Sequence, residues 1–311
     1  MNLSDITEKF NTEEKARDFL ESVLWPHGAV CPHCGVIGES YRLNGKAASK
    51  NAVRPGVWKC GGCRKQFTVR VGTIFEDSHI PLHKWLMAIH LLCSSKKGMS
   101  SHQIHRALGI TYKSAWFMTH RIRHAMKPLS TSKLQGTVEI DETYVGGKVH
   151  GKGMKAAMDN KAPVVTLVER NGQARSFHVE QVCAKNLRPI IKEHLHGWSN
   201  VMTDDAAMYP FLLAKQVASH EVVNHRNEEY VRHEGGRSIH TNTVEGFFSL
   251  IKRGVYGTFH HISKQHLHRY LSEFDFRYNA RDVSDGERTE KAIQNVVGKR
   301  LMYRPRLDSQ N

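Results

Sequence analysis

Two Cys-x-x-Cys pairs, Cys31-Pro-His-Cys34 and Cys60-Gly-Gly-Cys63, separated by 25 residues, constrain this chain more than any other feature. Each pair fits on one tight turn, and four thiolates from two such turns make a closed tetrahedral set. That set suits a structural Zn2+, with His33 a bystander. Glycines in the second pair let backbone amides turn toward the sulfurs. A module this small has little core and depends on its metal to fold. Lys46, Lys50, Arg54, Lys59, Arg64, Lys65 and Arg70 give it a basic surface. Cys93 and Cys183 stand apart and read as small buried hydrophobes.

Charge points to the kind of partner. The 311 residues carry 45 Lys+Arg against 30 Asp+Glu, a net charge of +15. Such an excess favours a polyanion, because each neutralised phosphate releases condensed counterions. Six cysteines, four of them paired as above, do not make a disulfide scaffold and fit a reducing compartment. The apolar stretch around Trp85–Cys93 is too short to span a bilayer, and Asp5, Glu8 and Glu13 precede any apolar run. The expectation is a cytoplasmic protein without membrane contact.

Periodicity divides the chain. Phe10, Ala16, Phe19, Leu20, Val23 and Leu24 predict one amphipathic helix over 3–25, ended by Pro26 and Gly28. A helical block runs from about Leu82 to Met126, broken at Lys97-Gly98 and at Gly109. Within it, Ser100 and Ser101 cap a helix bearing Ile104 and Leu108, and Gly109 ends it in the left-handed conformation. Thr111 caps a second helix whose Ala115, Met118 and Ile122 face inward. Lys113, Ser114, His120, Arg121 and Arg123 then face outward, as a groove-reading helix requires. An ordinary helical hairpin fits the same pattern.

Beyond residue 136 the chain turns to strands. Thr137–Ile140 and Pro163–Glu169 read as buried strands, Ala174–Val179 as a partner joined through Asn171-Gly172, and Asn200–Thr203 as a further strand. Helices are expected at Leu187–Leu195, Thr243–Lys252 and Lys264–Tyr278. Two of the strands run into acids, Val138-Glu-Ile-Asp-Glu and Val201-Met-Thr-Asp-Asp. Alternation sets Glu139 and Asp141 on one face, with Val138, Ile140 and Glu142 on the other. On the helix over 243–252, Asn242, Glu245, Ser249 and Lys252 share one stripe opposite Val244, Phe247, Phe248 and Ile251. Docked through its apolar stripe, that helix aims Glu245 toward the acidic ends of both strands. Three such carboxylates suit Mg2+ or Mn2+, two ions of which activate an attacking oxygen and stabilise a leaving one at a phosphodiester. Solvated strand-end acids and a surface Glu–Lys pair are the bland alternative.

These motifs, with CRKQFTVRVGTIFEDSHIPLHKW, MSSHQIHRALGITYKSAWFMTHRIR, VEIDETYVGGK, TDDAAMY and HTNTVEGFFSLIKRGVYGTFHHIS, run through nearly the whole chain. They resemble the insertion-sequence transposases of the ISXO-type (IS-fifteen-ninety-five) family. The resemblance implies a zinc ribbon (27–75), a helix-turn-helix (80–128) and a ribonuclease-H-like α/β domain of mixed sheet and flanking helices (134–282). An N-terminal helix (1–26) precedes these and a tail (283–311) follows. It implies Asp141 and Asp204 as metal ligands, with Asp205 and Glu142 as neighbours. Some branches of the family carry Asn or His in place of the third acid, followed by a Lys. Here Glu245 is favoured, with Asn242 an alternative or additional ligand and Lys252, with Arg253, on DNA. The implied reaction is cleavage at terminal inverted repeats of double-stranded DNA and transfer of the freed 3′ hydroxyl to target DNA. The implied setting is a dimer or higher oligomer on the bacterial nucleoid. A non-enzymatic zinc-ribbon and helix-turn-helix DNA-binding regulator, or an inactive transposase-derived protein, is the competing reading.

Overall fold

A computed structural model of the chain describes residues 3–43, 53–128, 132–147 and 160–302. It divides the chain into two units, residues 1–126 with 283–311 and residues 127–282. No helix among the described residues is long and apolar enough to cross a membrane.

The first unit opens with α1 (Leu3–Lys9) and α2 (Glu13–Leu24), which the apolar pattern had joined as one helix. The chain breaks between them because Thr12 is extended and its Oγ1 accepts the Lys15 amide at 3.2 Å. A capped start with Glu13 and Glu14 in the first turn outweighs continuation. Phe10 stays buried across the break, so the periodicity survives it. Beyond α2, Trp25 lies edge-on to Trp58 and Phe67, with centroids 5.9 and 5.8 Å away. Those rings belong to an antiparallel sheet in the order β1 (Ser40–Arg42), β2 (Trp58–Cys60), β3 (Gln66–Phe67). The aromatic contacts roof the small core around Cys31 and Cys60. Lys46 and Lys50 lie outside the described residues. Arg70, expected on the basic surface, turns inward to pair with Glu13 and donates to the Ser78 carbonyl at 2.8 Å.

Three helices follow: α3 (Leu82–Ser94), α4 (Ser101–Leu108) and α5 (Tyr112–Met126). Their ends obey the expected chemistry. Ser100 and Gln103 form a capping box, Gly109 is left-handed at φ 58°, and Thr111 Oγ1 accepts the Ser114 amide at 3.2 Å. Ala115, Met118 and Ile122 are buried as expected. The outward assignment of His120, Arg121 and Arg123 is overturned, because all three are buried. Arg121 donates to the carbonyls of Ile74 and Glu76, at 2.6 and 2.8 Å, and to that of Leu301 at 2.9 Å. Arg123 reaches the Met99 carbonyl. Helix α5 is packed on more than the one side that its apolar stripe accounts for. Lys113 is exposed and Ser114 half-buried at its start. The segment from 283, expected as a tail, contains a capped helix, Asp285–Gln294, whose Thr289 hydroxyl meets His90 Nδ1 at 3.0 Å.

The second unit is built on one five-stranded sheet in the order β6 (Ala174–His178), β5 (Ala162–Glu169), β4 (Thr137–Val145), β7 (Asn200–Thr203), β8 (Ser219–Val222). The first three strands are antiparallel, while β7 runs parallel to β4 and β8 parallel to β7. The β5–β6 hairpin turns at Asn171, which takes φ 58°, as the Asn-Gly pair foretold. Strand β8, Ser-His-Glu-Val, carries no apolar alternation and was not foreseen. Helices α6 (Ala184–His194) and α7 (Tyr209–Leu213) cover the face bearing Val138, Ile140 and Val201. Helices α8 (Asn242–Gly254) and α9 (Lys264–Asn279) cover the other through Val244, Phe247, Phe248, Ile251 and Leu271. A short hairpin, Arg232–Glu234 with Arg237–Ile239, precedes α8.

Candidate active site

Strand register brings the first two carboxylates together. Thr137, Val138 and Glu139 of β4 lie level with Asn200, Val201 and Met202 of the parallel β7. Carried two residues further, the same register sets Asp141 level with Asp204, on strands spaced about 4.8 Å apart. Glu139 and Asp141 share one face of β4, as alternation requires, and Glu142 points to the other, where its carboxylate accepts the Tyr209 hydroxyl at 2.6 Å. Burial pushes Asp141 up to about 7, and the charges of Glu142, Asp204 and Glu245 push the same way, against the Glu142 amide bonded at 2.7 Å. Glu142 is also raised by burial.

Helix α8 presents its two stripes as read. Asn242, Glu245, Ser249 and Lys252 are exposed, while Val244, Phe247, Phe248 and Ile251 are buried against the sheet. Arg253 is exposed as well, its Nε donating to the Ser249 carbonyl at 3.1 Å. Glu245 Oε1 accepts the Thr241 hydroxyl at 3.1 Å and lies 3.4 Å from His225 Nε2. Asp204 accepts the Ala206 amide at 3.2 Å. The helix widens into a π turn at Val255–Phe259.

Two features escaped sequence reasoning. His225 enters from the loop after β8, a stretch without any motif. Glu139 is wholly buried and accepts from the amides of Thr243 and Val244, at 2.8 and 3.0 Å, and from Arg170 Nε at 2.6 Å. A charged residue in the middle of an apolar strand was its one available signal.

A donor set of hard oxygens in which neighbouring charges raise Asp141 suits a divalent cation such as Mg2+ or Mn2+. Asp141, Asp204 and Glu245 are the residues present for it. Their oxygens are less tightly gathered than the thiols, for the four cysteines alone among the described residues bring three or more ligand atoms within 4.8 Å of one another. Cys31 Sγ lies 3.7 Å from Cys63 Sγ, and Cys34 Sγ lies 3.6 Å from Cys60 Sγ. Tetrahedral Zn–S bonds near 2.3 Å ask for about 3.8 Å between sulfurs. The two knuckles are built alike, since Gly35 and Arg64, each at positive φ, donate their amides to the carbonyls of Cys31 and Cys60, at 2.9 and 3.1 Å. The Cys63 amide helps draw the Cys60 thiol down to about 6. These four thiols fit a structural Zn2+.

Two family models match the chain. Residues 133–279 match the ISXO2-like transposase domain, and residues 11–66 match the transposase zinc-ribbon domain. The chain is thus similar to ISXO2-like transposases over residues 133–279 and to transposase zinc ribbons over residues 11–66. The zinc-ribbon match contains all four cysteines, and the transposase-domain match contains Asp141, Asp204, Asn242, Glu245 and Lys252. A relative from Halobacterium salinarum, described as an uncharacterized protein in transposable element ISH50, is 25% identical over 291 residues, covering 86% of this chain and 91% of its own.

Proposed function

We propose that the chain is a DNA transposase that cleaves the ends of its element and transfers them to target DNA, with divalent cations held by Asp141, Asp204 and Glu245. The observation that carries this reading is the parallel register of β4 on β7, which leads to Asp141 and Asp204 two residues beyond its last pair, with the charges of Asp204 and Glu245 both raising Asp141. The strand order, three antiparallel strands followed by two parallel ones on the far side of the first, supports a ribonuclease-H-like fold. Two Mg2+ or Mn2+ ions bound there supply the charge that activates the attacking oxygen and stabilises the leaving one. Asn242, one turn before Glu245, is the additional or substitute ligand. Lys252 and Arg253, exposed further along α8, hold the DNA backbone as cations suited to phosphate.

Helices α4 and α5, joined through left-handed Gly109, serve as a helix-turn-helix on double-stranded DNA. Lys113 and Ser114, at the accessible start of α5, are its contacts; His120, Arg121 and Arg123 are not, being spent inside the unit. The zinc ribbon adds Arg54, Arg64 and Lys65, all exposed. Two element ends held at once call for a dimer or higher oligomer on DNA, in the bacterial cytoplasm.

The deciding experiment is cleavage and strand transfer on DNA carrying the element's ends, with Mg2+ or Mn2+. Wild type is expected to cut and join, while Asp141→Asn and Glu245→Gln bind the ends but do neither. Activity retained by Glu245→Gln would pass the third ligand to Asn242. A wild type that binds the ends and never cuts them would leave a DNA-binding regulator.

A further inference from the structure

Glu139 is wholly buried, and a carboxylate out of water is costly unless its oxygens are bonded. Here they are. Oε2 accepts the amides of Thr243 and Val244, and Oε1 accepts the Thr243 hydroxyl at 2.8 Å and Arg170 Nε at 2.6 Å. Both amides belong to the open first turn of α8, where the helix dipole favours negative charge. Thr241, the residue at the cap position, makes no side-chain cap bond and turns its hydroxyl to Glu245 instead. The capping of α8 has passed to a strand about a hundred residues earlier in the chain.

Arg170 holds the other side of the same junction. Its Nη1 donates to the Ser238 carbonyl at 2.7 Å and its Nη2 to the His240 carbonyl at 2.9 Å, both in the lead-in to α8. His240 Nδ1 lies 3.3 Å from Glu139 Oε1 and 3.3 Å from the Asn242 amide, so it borders the same junction.

Glu139 stands two residues before Asp141 on one strand, and Val244 immediately precedes Glu245 on one helix. The strand bearing one proposed ligand therefore grips the turn bearing another. We propose that Glu139 and Arg170 are positioning residues that set the gap between Asp141 and Glu245, and with it the fit of the divalent cations. This rests on the transposase reading of the carboxylates. Glu139 is not itself a ligand, because four donors occupy its oxygens. Nor is a buried pair needed for stability alone, since apolar replacements commonly serve a core as well.

The test compares wild type, Glu139→Gln and Glu139→Gln/Arg170→Gln as full-length, zinc-loaded chains; the double variant leaves no orphaned charge. Circular dichroism and DNA affinity are expected to hold. Mn2+ affinity by electron paramagnetic resonance is expected to fall about tenfold or more, as for outer-shell partners of metal ligands. The Mg2+ concentration for half-maximal cleavage should rise in step, and the Thr243 and Val244 amides should exchange faster. Metal affinity and Mg2+ midpoint both within about twofold of wild type would overturn the proposal. So would loss of folding in both variants, which would make the pair a support of the sheet. If wild type binds Mn2+ and cuts no DNA, the transposase reading fails, and the Mn2+ and exchange data still decide the pair.

Discussion

Asp275 on α9 shows how one side chain can govern the response of the second unit to pH. Its carboxylate is buried, accepting the Ser176 amide at 2.8 Å and the Ser176 hydroxyl at 2.7 Å. Burial pushes it up to about 7, against those two bonds and Arg175. The folded state therefore holds this proton between about pH 4 and 7 while the unfolded state releases it. Stability from the protonated group is complete below the ordinary carboxylate range, is lost as pH rises to about 7, and is level above that, by on the order of a few kcal/mol. Asparagine mimics the protonated acid and keeps one acceptor for the Ser176 amide. Asp275→Asn should match wild type in melting temperature near pH 4 and exceed it increasingly up to pH 7. A difference that did not change with pH would refute the burial argument. Other single residues differed in how much the sequence showed of them. The two acidic strand ends were legible because each closes a short apolar run, and the parallel register brings those strands side by side. Arg121 and Arg123 were misread, because a helical stripe reveals one buried face and their carbonyl partners lie elsewhere in the chain. The face of Glu139 was legible, but its partners, 104 and 105 residues away, were not.

At the scale of elements, ends were easier to read than neighbours. Ser100, Gly109, Thr111 and the Asn171-Gly172 turn act within a few residues, so local chemistry reveals them. The break at Thr12 follows the same rule, yet continuing apolar periodicity concealed it. Strand β8 lacks a pattern because it is a half-buried edge with mixed side chains. The cysteine module makes the clearest prediction here. Among the described residues, the cluster around its cysteines is small, Ala29, Cys31, Cys60 and Phe67 with a few half-buried neighbours, too little to hold without metal. Trp25 and Trp58 pack edge to face against that core, so their emission reports on it. Chelation of Zn2+, or Cys60→Ser, should shift tryptophan emission to longer wavelength and abolish protection of the Cys31 and Cys60 amides. Exchange in β4 and β5, within a separate core, should not change. Emission and protection that survive a chelator would show the ribbon folding without metal.

At the scale of the whole chain, the first unit is discontinuous, taking in 283–311 after the entire second unit. No local pattern announces this, since the joining contacts span nearly two hundred residues, as between His90 and Thr289. The returning segment buries Thr289, Ala292, Ile293 and Val296, and Lys299 donates to the Ala125 carbonyl at 2.8 Å. Arg121 also draws on it through the Leu301 carbonyl. Removing residues after Asp282 would expose that apolar surface and leave Arg121 and His90 short of partners. The apolar loss alone is about 5 kcal/mol, comparable with the whole stability of an ordinary domain. The second unit has apolar clusters of its own on both faces of its sheet. Truncation at Asp282 should therefore abolish the calorimetric transition of the first unit and leave that of residues 127–282 near its original temperature. If both transitions survive, the returning helix is an ornament of the first unit; if both vanish, the two units do not fold independently.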